Sequence, residues 1–387
     1  MEMITLPGKV RIVRKKGPIS IDFTTLLEYH EEPALGRIIE PMRILITGGT
    51  GLISGPTTRQ LLERGDSVTH YDLPTAETPK GVIRIAGDRY NHPVFVSDMH
   101  NAGEFDCVLD MICYKPEDAE SLIHAFRGRA GQIIFCSTVD VYAKPASRYP
   151  VLEDEPQEGI GAYAQKKVLC EKILTDAWRD DGLPLTIIRP AATYGPGTFH
   201  KGNVVHTFGN STTFLDRLQK GKPVVVHGDG SSIWVSGFHE DVAKAFVAAV
   251  GNGKTIGKSY HVPGPNHVTW NQYYMTVAEI LGAPKPTIVH IPTDLLAKAA
   301  PKRGSIALQN FQFNNIFDPS AARRDLNFTP TTSLEQGIRR TIEWIRTVHG
   351  FDNCDSDPFY DQLISAWERL GSNLAQELAG LDPGLPR

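Results

Sequence analysis

The chain is short of cysteine, has no long apolar run and carries no large excess of either charge. Its five cysteines, Cys107, Cys113, Cys136, Cys170 and Cys354, are scattered over 387 residues. The number is odd and none forms a C-x-x-C pair, which argues against a disulfide framework or a zinc ribbon. Cys107, Cys113 and Cys136 sit in apolar runs that read as strands, so they are expected as small core residues in a reducing cytoplasm, with no metal to bind. No apolar stretch reaches the roughly 18 residues that a bilayer crossing needs. The start of the chain lacks the unbroken apolar segment of a secretion signal. A net charge of −4 offers no general electrostatic surface to a nucleic acid or a membrane. There is no internal repeat and no low-complexity tract.

What is present is an ordinary apolar fraction, 41%, in a chain long enough for a main domain of roughly 250 residues and a smaller one. Residues 1–41 read as an extension with a basic cluster at Arg11, Arg14, Lys15 and Lys16, suited to a solvated arm or a subunit clasp. From residue 43 the pattern alternates. Strands are expected at 43–47, 67–72, 82–86, 106–112, 132–137 and 184–189, and helices near 52–64, 116–127 and 161–181. Near-continuous apolar strands separated by helices imply an α/β fold, a doubly wound parallel sheet with its ligand crevice at the carboxyl ends of the strands. After Arg189-Pro190 glycine and proline become frequent and the elements shorten. The expected division is residues 42–189 plus 237–252 as a dinucleotide-binding domain and 190–236 plus 253–350 as a smaller substrate-binding domain. Residues 351–387 follow as a C-terminal helical extension.

The most informative stretch is Met42-Arg43-Ile44-Leu45-Ile46-Thr47-Gly48-Gly49-Thr50-Gly51-Leu52-Ile53-Ser54-Gly55. An apolar strand runs into a glycine cluster and a helix begins at once. Gly48, Thr50, Gly51, Leu52 and Ile53 are thereby placed where backbone amides and a helix N-terminus meet a pyrophosphate. Ser54 stands where the usual spacing has its third glycine, and is small enough for close helix–strand packing. Asp72 ends the second strand 21 residues after Gly51. A carboxylate there accepts both ribose hydroxyls of an adenosine and repels a 2′-phosphate, and Leu73-Pro74-Thr75 brings no arginine, which favours NAD over NADP. Asp88 follows the third strand and is either an acceptor for the adenine amino group or a turn residue.

Tyr163 and Lys167 lie about 115 residues downstream of the glycines, four apart on one helix face. An adjacent ammonium and a positive nicotinamide both favour the phenolate, so the tyrosine is expected to titrate below its usual value of roughly 10. Such a phenol takes a proton from an alcohol while hydride leaves the same carbon. Lys166, at the competing spacing, is expected to be solvated.

With these residues in place the chain resembles the extended short-chain dehydrogenase/reductase family, the group of nucleotide-sugar epimerases and dehydratases on a Rossmann fold. The resemblance covers about residues 43–348. It is carried by the glycine turn, by Phe135-Cys136-Ser137-Thr138-Val139-Asp140-Val141-Tyr142, by Tyr163 and Lys167, and by Arg189-Pro190-Ala191-Ala192-Thr193-Tyr194-Gly195-Pro196-Gly197. Gly228-Asp229-Gly230, Glu240-Asp241-Val242-Ala243 and Phe317-Asp318 through Gly337 continue it. It implies a Thr138/Tyr163/Lys167 triad, with Met111, Ile112, Ser137 and Pro190 beside the cofactor. It also implies a homodimer and a sugar-like substrate contacted by Tyr114, Thr138, Asp140, Asn203 and Trp234.

The departures from the family pattern carry information too. The 4,6-dehydratases have an acidic pair where this chain has Val139 and Asp140, so dehydration is disfavoured. Asp140 remains as an acid/base, a hydroxyl ligand or a turn cap. Ala192 replaces an expected asparagine. Trp234 falls near the place of an arginine that grips a diphosphate, and either stacks on substrate or packs in the core. Lys201, Arg217 and Arg303 are alternative sources of positive charge. The resulting expectation is an NAD-dependent epimerase acting on a sugar or sugar nucleotide. A net dehydrogenase, reductase or decarboxylase on a sugar-like, cyclitol or nucleoside substrate is the alternative, and a non-catalytic RNA-binding relative is the alternative of another class.

Overall fold

The first strand shows how the sheet is built. β1 (Arg43–Thr47) buries Ile44 and Ile46 on one face and Leu45 on the other, so it is apolar on both sides as a central parallel strand must be. A computed structural model describes residues 41–197, 204–208 and 212–381. Chain order continues α1 (Ser54–Arg64), β2 (Ser67–Asp72), β3 (Ile83–Ala86), α2 (His92–Ala102), β4 (Cys107–Asp110), α3 (Pro116–Phe126), β5 (Ile133–Cys136), α4 (Ala162–Asp181) and β6 (Leu185–Pro190). The smaller part begins with β7 (Ala192–Tyr194), α5 (Thr213–Gln219), β8 (Val224–His227) and β9 (Ile233–Phe238). α6 (His239–Ala249) and β10 (Lys258–Val262) return to the main sheet.

That sheet has seven strands in the order β10-β6-β5-β4-β1-β2-β3, all parallel. Ile44, Ile46, Leu109, Ile134 and Ile188 pack on one face with Val242 and Phe246 of α6. Leu45, Val108, Ile133, Phe135 and Ile187 pack on the other with Phe95, Leu122, Phe126 and Leu174 from α2, α3 and α4. The doubly wound expectation holds, and the reversal of strand order between β1 and β4 places the crevice at their carboxyl ends.

Two elements differ from the sequence reading. α2 was not expected: only Phe95 and Met99 are buried, and its valines, histidines and asparagine are weak helix formers. β10, assigned above to the smaller domain, is the seventh strand of the main sheet. It pairs with β6 from Lys258↔Thr186 to Val262↔Pro190. An edge strand with a polar start and a buried histidine, His261, has no local pattern that names its partner.

β11 (His267–Thr269), α7 (Trp270–Leu281), β12 (Ile288–Ile291), α8 (Thr293–Ala299), α9 (Pro301–Ile306), α10 (Ser320–Leu326), α11 (Leu334–Val348) and α12 (Pro358–Glu377) complete the chain. They include a three-stranded sheet, β11-β9-β7, and a parallel pair, β12-β8. α11 begins with a Ser333/Gln336 capping box and buries Leu334, Ile338, Ile342 and Ile345 along one stripe. α12 buries only Tyr360 and Ile364. It is tied down by Arg217, which donates to Asp361 at 2.6 Å, and by the Tyr360 hydroxyl, which accepts the Val225 amide at 2.8 Å. Residues 1–40, with the basic cluster, lie outside the described residues. Among the described residues no helix is long and apolar enough to cross a membrane.

Candidate active site

The glycine turn follows β1 directly. Gly48 has φ +70°, and a β-carbon there would lie 2.5 Å from Ile112 Cγ2, so only glycine fits. A β-carbon on Gly49 would lie 2.3 Å from the His70 ring. Ser54 does more than fill the third glycine's place. Its hydroxyl accepts the Gly51 amide at 2.8 Å and donates to the Gly48 carbonyl at 2.5 Å, which fixes both ends of the turn. α1 has no acidic residue in its first turn and no side-chain cap, so its N-terminus faces the crevice with its dipole uncompensated. Gly48, Thr50, Gly51, Leu52 and Ile53 all line the cleft.

Asp72 stands at the end of β2, and its Oδ2 accepts the Gly49 amide at 3.1 Å. Burial pushes its carboxyl up to about 6, against the pull of that amide and of Arg84. His70, 3.5 Å away, is held neutral by burial, its pKa lowered to about 4. Asp88 lines the cleft and also caps the Tyr90 amide at 2.9 Å, so the turn role and exposure to a ligand coexist. Met111 and Ile112 form the facing wall and Pro190 the inner end. Beneath them Arg89 is buried against Asp110 at 2.8 Å, and Asp110 also accepts the Thr47 hydroxyl at 2.6 Å.

Thr138, Tyr163 and Lys167 converge at the inner end of the same cleft. Thr138 follows β5, its hydroxyl oxygen accepts the Asp140 amide at 3.1 Å, and it hydrogen-bonds the Tyr163 side chain. Tyr163 opens α4, and Lys167 lies one turn on, 1% exposed. The expected acidification of the phenol is not found. Although 48% of the Tyr163 surface is exposed, its hydroxyl end is enclosed. Burial first, then the Asp140 carboxylate, hold the phenol well above its ordinary value, and the Thr138 hydrogen bond only moderates this. The Lys167 ammonium is turned elsewhere, donating to the Cys136 carbonyl at 2.6 Å.

Around Asp140, expected from the sequence, stand side chains that sequence reasoning missed. Asp140 Oδ1 accepts the Asn310 amide at 2.7 Å. Lys144, almost fully buried, donates to Asn310 Oδ1 at 2.6 Å and Asn315 Oδ1 at 2.5 Å, and burial lowers its pKa. Asn310 lies in a π-helical turn, Ala307–Phe311, and lines the cleft with Phe311 and Asn315. The only sequence signal was a lysine just beyond the recognised Val-Tyr pair; Asn310 sits in no motif. Behind the cleft runs a buried polar chain. Ser137 donates to Glu171, which accepts Arg189 Nε at 2.9 Å. Arg189 Nη1 donates to the Tyr142 hydroxyl at 2.5 Å, and that hydroxyl meets His261 Nε2 at 2.5 Å. Ser137 lines the cleft, yet its hydroxyl is committed to this chain.

The whole cleft encloses about 980 Å³, ample for a dinucleotide's reactive half and a small substrate. Residues 117–262 match the profile of the NAD dependent epimerase/dehydratase family. That match covers β5, α4 and β6 and the stretch that carries Thr138, Tyr163 and Lys167, and it is a likeness to the family over these residues. The chain is 28% identical over 263 residues to the chloroplast stem-loop binding protein of 41 kDa b from Arabidopsis thaliana, spanning 64% of this chain and 65% of that one. It is 25% identical to a dTDP-glucose 4,6-dehydratase of Neisseria gonorrhoeae, over 78% and 94% of the two chains. A solved UDP-glucose 4-epimerase from Thermotoga maritima shares the fold, with a TM-score of 0.65 and 22% identity over 79% and 99%.

The dinucleotide end of the cleft fits an NAD. The glycine cradle has no room for a β-carbon at Gly48, the helix end is uncapped, and Asp72 is in place. The other candidates divide. Tyr114 lines the cleft beside Tyr163, ring centroids 6.3 Å apart. Trp234 borders it but is 1% exposed and stacked on Trp270 at 4.2 Å and 2°, so its ring belongs to the core of the smaller part. Arg217 is buried under α12, and Arg303 pairs with Asp357 at 2.5 Å; neither lines the cleft. Asn203 and Lys201 lie outside the described residues. Lys166 is exposed, as expected.

Proposed function

We propose that the chain is an NAD-dependent epimerase of a sugar or sugar nucleotide, working by transient oxidation of a secondary alcohol and return of hydride. The observation that carries this reading is the meeting of Thr138, Tyr163 and Lys167 at the inner end of a cleft whose outer end is the glycine turn and Asp72. The names of the relatives support the substrate class. They include a dTDP-glucose 4,6-dehydratase, a UDP-N-acetyl-alpha-D-glucosaminuronate decarboxylase and a UDP-glucose 4-epimerase. Val139 in place of the first acid of the dehydratase pair weighs against water elimination.

The dinucleotide supplies, when bound, a hydride acceptor and a positive charge beside the phenol. Asp72 would receive the adenosine ribose and the Leu52 and Ile53 amides at the start of α1 the pyrophosphate, with the glycine amides spent on shaping the turn, while Lys167 would hold the second ribose. Thr138 orients the substrate hydroxyl toward Tyr163. Tyr163 takes the hydroxyl proton as hydride leaves and returns it to the ketone oxygen afterwards. A phenol held protonated by burial is in the form that the return step needs; for the forward step it would first have to be lowered to the phenolate by the positive charge of a bound dinucleotide, and the phenolate then accepts the substrate proton. Asp140, fixed by Asn310, accepts a neighbouring hydroxyl and keeps the ketone oriented.

The test is incubation of the protein with UDP-glucose, UDP-glucuronate, dTDP-glucose and free hexoses, following both stereochemistry and absorbance of reduced cofactor. Inversion at one carbon without NADH accumulation is expected. Stoichiometric NADH would make the chain a net dehydrogenase. The match to a stem-loop binding protein supports a second reading, RNA binding. A salt-dependent RNA complex unchanged by Tyr163→Phe, with no turnover of any sugar, would favour it.

A further inference from the structure

Lys167 is gripped from three sides, and two of its contacts are aromatic. Its ammonium lies 4.7 Å from the ring centroid of Tyr114 and 4.7 Å from that of Phe135, and donates to the Cys136 carbonyl. Phe135 and Cys136 belong to β5, Tyr114 follows β4, and Lys167 is on α4, so three successive units of the fold meet at one nitrogen. An ammonium with 1% residue exposure needs compensation for lost water. Among the described residues no carboxylate comes within ion-pair distance of it. Two π faces and one carbonyl provide the compensation, and a desolvated ammonium between rings is where a cation–π contact is strongest. Phe135 is a buried strand residue whose place the core dictates. Tyr114 is not: 37% of its surface is exposed, its hydroxyl has no hydrogen-bond partner among the described residues, and its loop position demands no large side chain.

We propose that Tyr114 is a positioning residue for Lys167, its ring closing an aromatic clamp that holds the ammonium in place, one donor on the Cys136 carbonyl and the others left for the ribose nearest the reacting carbon. This rests on the cofactor reading above. The clamp acts through the π face and not through the phenol oxygen. Without it the ammonium keeps only the Phe135 ring and the Cys136 carbonyl and is less confined, and a binding group that must be ordered on binding gives a weaker complex.

The experiment measures the affinity of the full chain, and of its Tyr114→Phe, Tyr114→Leu and Tyr114→Met variants, for NAD and for ADP, with melting temperature alongside. ADP reports only the glycine turn and Asp72. Tyr114→Leu and Tyr114→Met are expected to bind NAD about tenfold more weakly, with ADP affinity within about twofold of the native value. Tyr114→Phe is expected to match the native chain for both ligands. Equal NAD affinity in native, Leu and Met chains overturns the clamp. So does a Phe variant as weak as Leu, which would assign the effect to the hydroxyl, or a parallel loss of ADP, which would make the effect general. A folded native chain that binds ADP but shows no gain for NAD removes the cofactor reading itself, and the clamp with it.

Discussion

Lowering the pH from about 8 to about 5 is expected to weaken NAD binding, because Asp72 must be ionised to accept both ribose hydroxyls. Its side chain is only 10% exposed, and burial raises the carboxyl from 3.8 to about 6. A shift of that size corresponds to about 3 kcal/mol of disfavour for the charged form. The Gly49 amide at 3.1 Å offsets part of the desolvation and no more. One unit below its midpoint, about a tenth of the carboxyl is ionised, so affinity at pH ~5 falls about tenfold from its plateau. His70 contributes nothing over this range, since it gains its proton only near 4. The unliganded chain responds in the opposite sense. Between about 4 and 6 the folded carboxyl holds a proton that the unfolded one has lost, so this group's contribution to stability declines as pH rises. Calorimetric titration with NAD across the range, with Asp72→Asn as control, decides the matter. The variant is expected to show a weak, flat affinity and to let NADP compete. A native affinity that stays constant from pH ~8 to ~5, or the same slope in Asp72→Asn, refutes the reasoning.

Three further outcomes follow from the geometry. Tyr163→Phe is expected to bind NAD normally and to lose turnover by about a hundredfold or more; turnover near the native rate removes the phenol from the chemistry. Glu171→Ala leaves Arg189 buried without its carboxylate and is expected to lower unfolding stability by about 3–5 kcal/mol, whereas Glu171→Leu with Arg189→Met is expected to be nearly neutral. Urea denaturation of the three chains checks this, and equal losses in the single and double variants would contradict it. Gly48→Ala must force a β-carbon against Ile112 at φ +70°, so a folded variant is expected to show no measurable NAD affinity by the same titration.

That the glycine turn, Asp72 and the Tyr163/Lys167 pair would face one cleft was legible because their placement depends on local geometry: a turn, a strand end, two residues one helical turn apart. The parallel sheet was legible because strands buried on both faces leave unbroken apolar runs such as Ile44-Leu45-Ile46. Four matters were settled only when the chain closed on itself. β10 joined the main sheet through pairing with a strand about 70 residues earlier, a contact without local pattern. Trp234 entered an aromatic stack because Trp270 and Tyr273 arrive from another element. Lys144, Asn310 and Asn315 met across roughly 170 residues of chain. The Tyr163 phenol titrates upward and not down because enclosure and the Asp140 carboxylate outweigh a lysine whose spacing is right but whose ammonium points to Cys136. Sequence thus fixes what repeats with the period of a helix or a strand. Burial, charge and partner at each nitrogen and oxygen depend on distant segments, and only the tertiary structure brings those together.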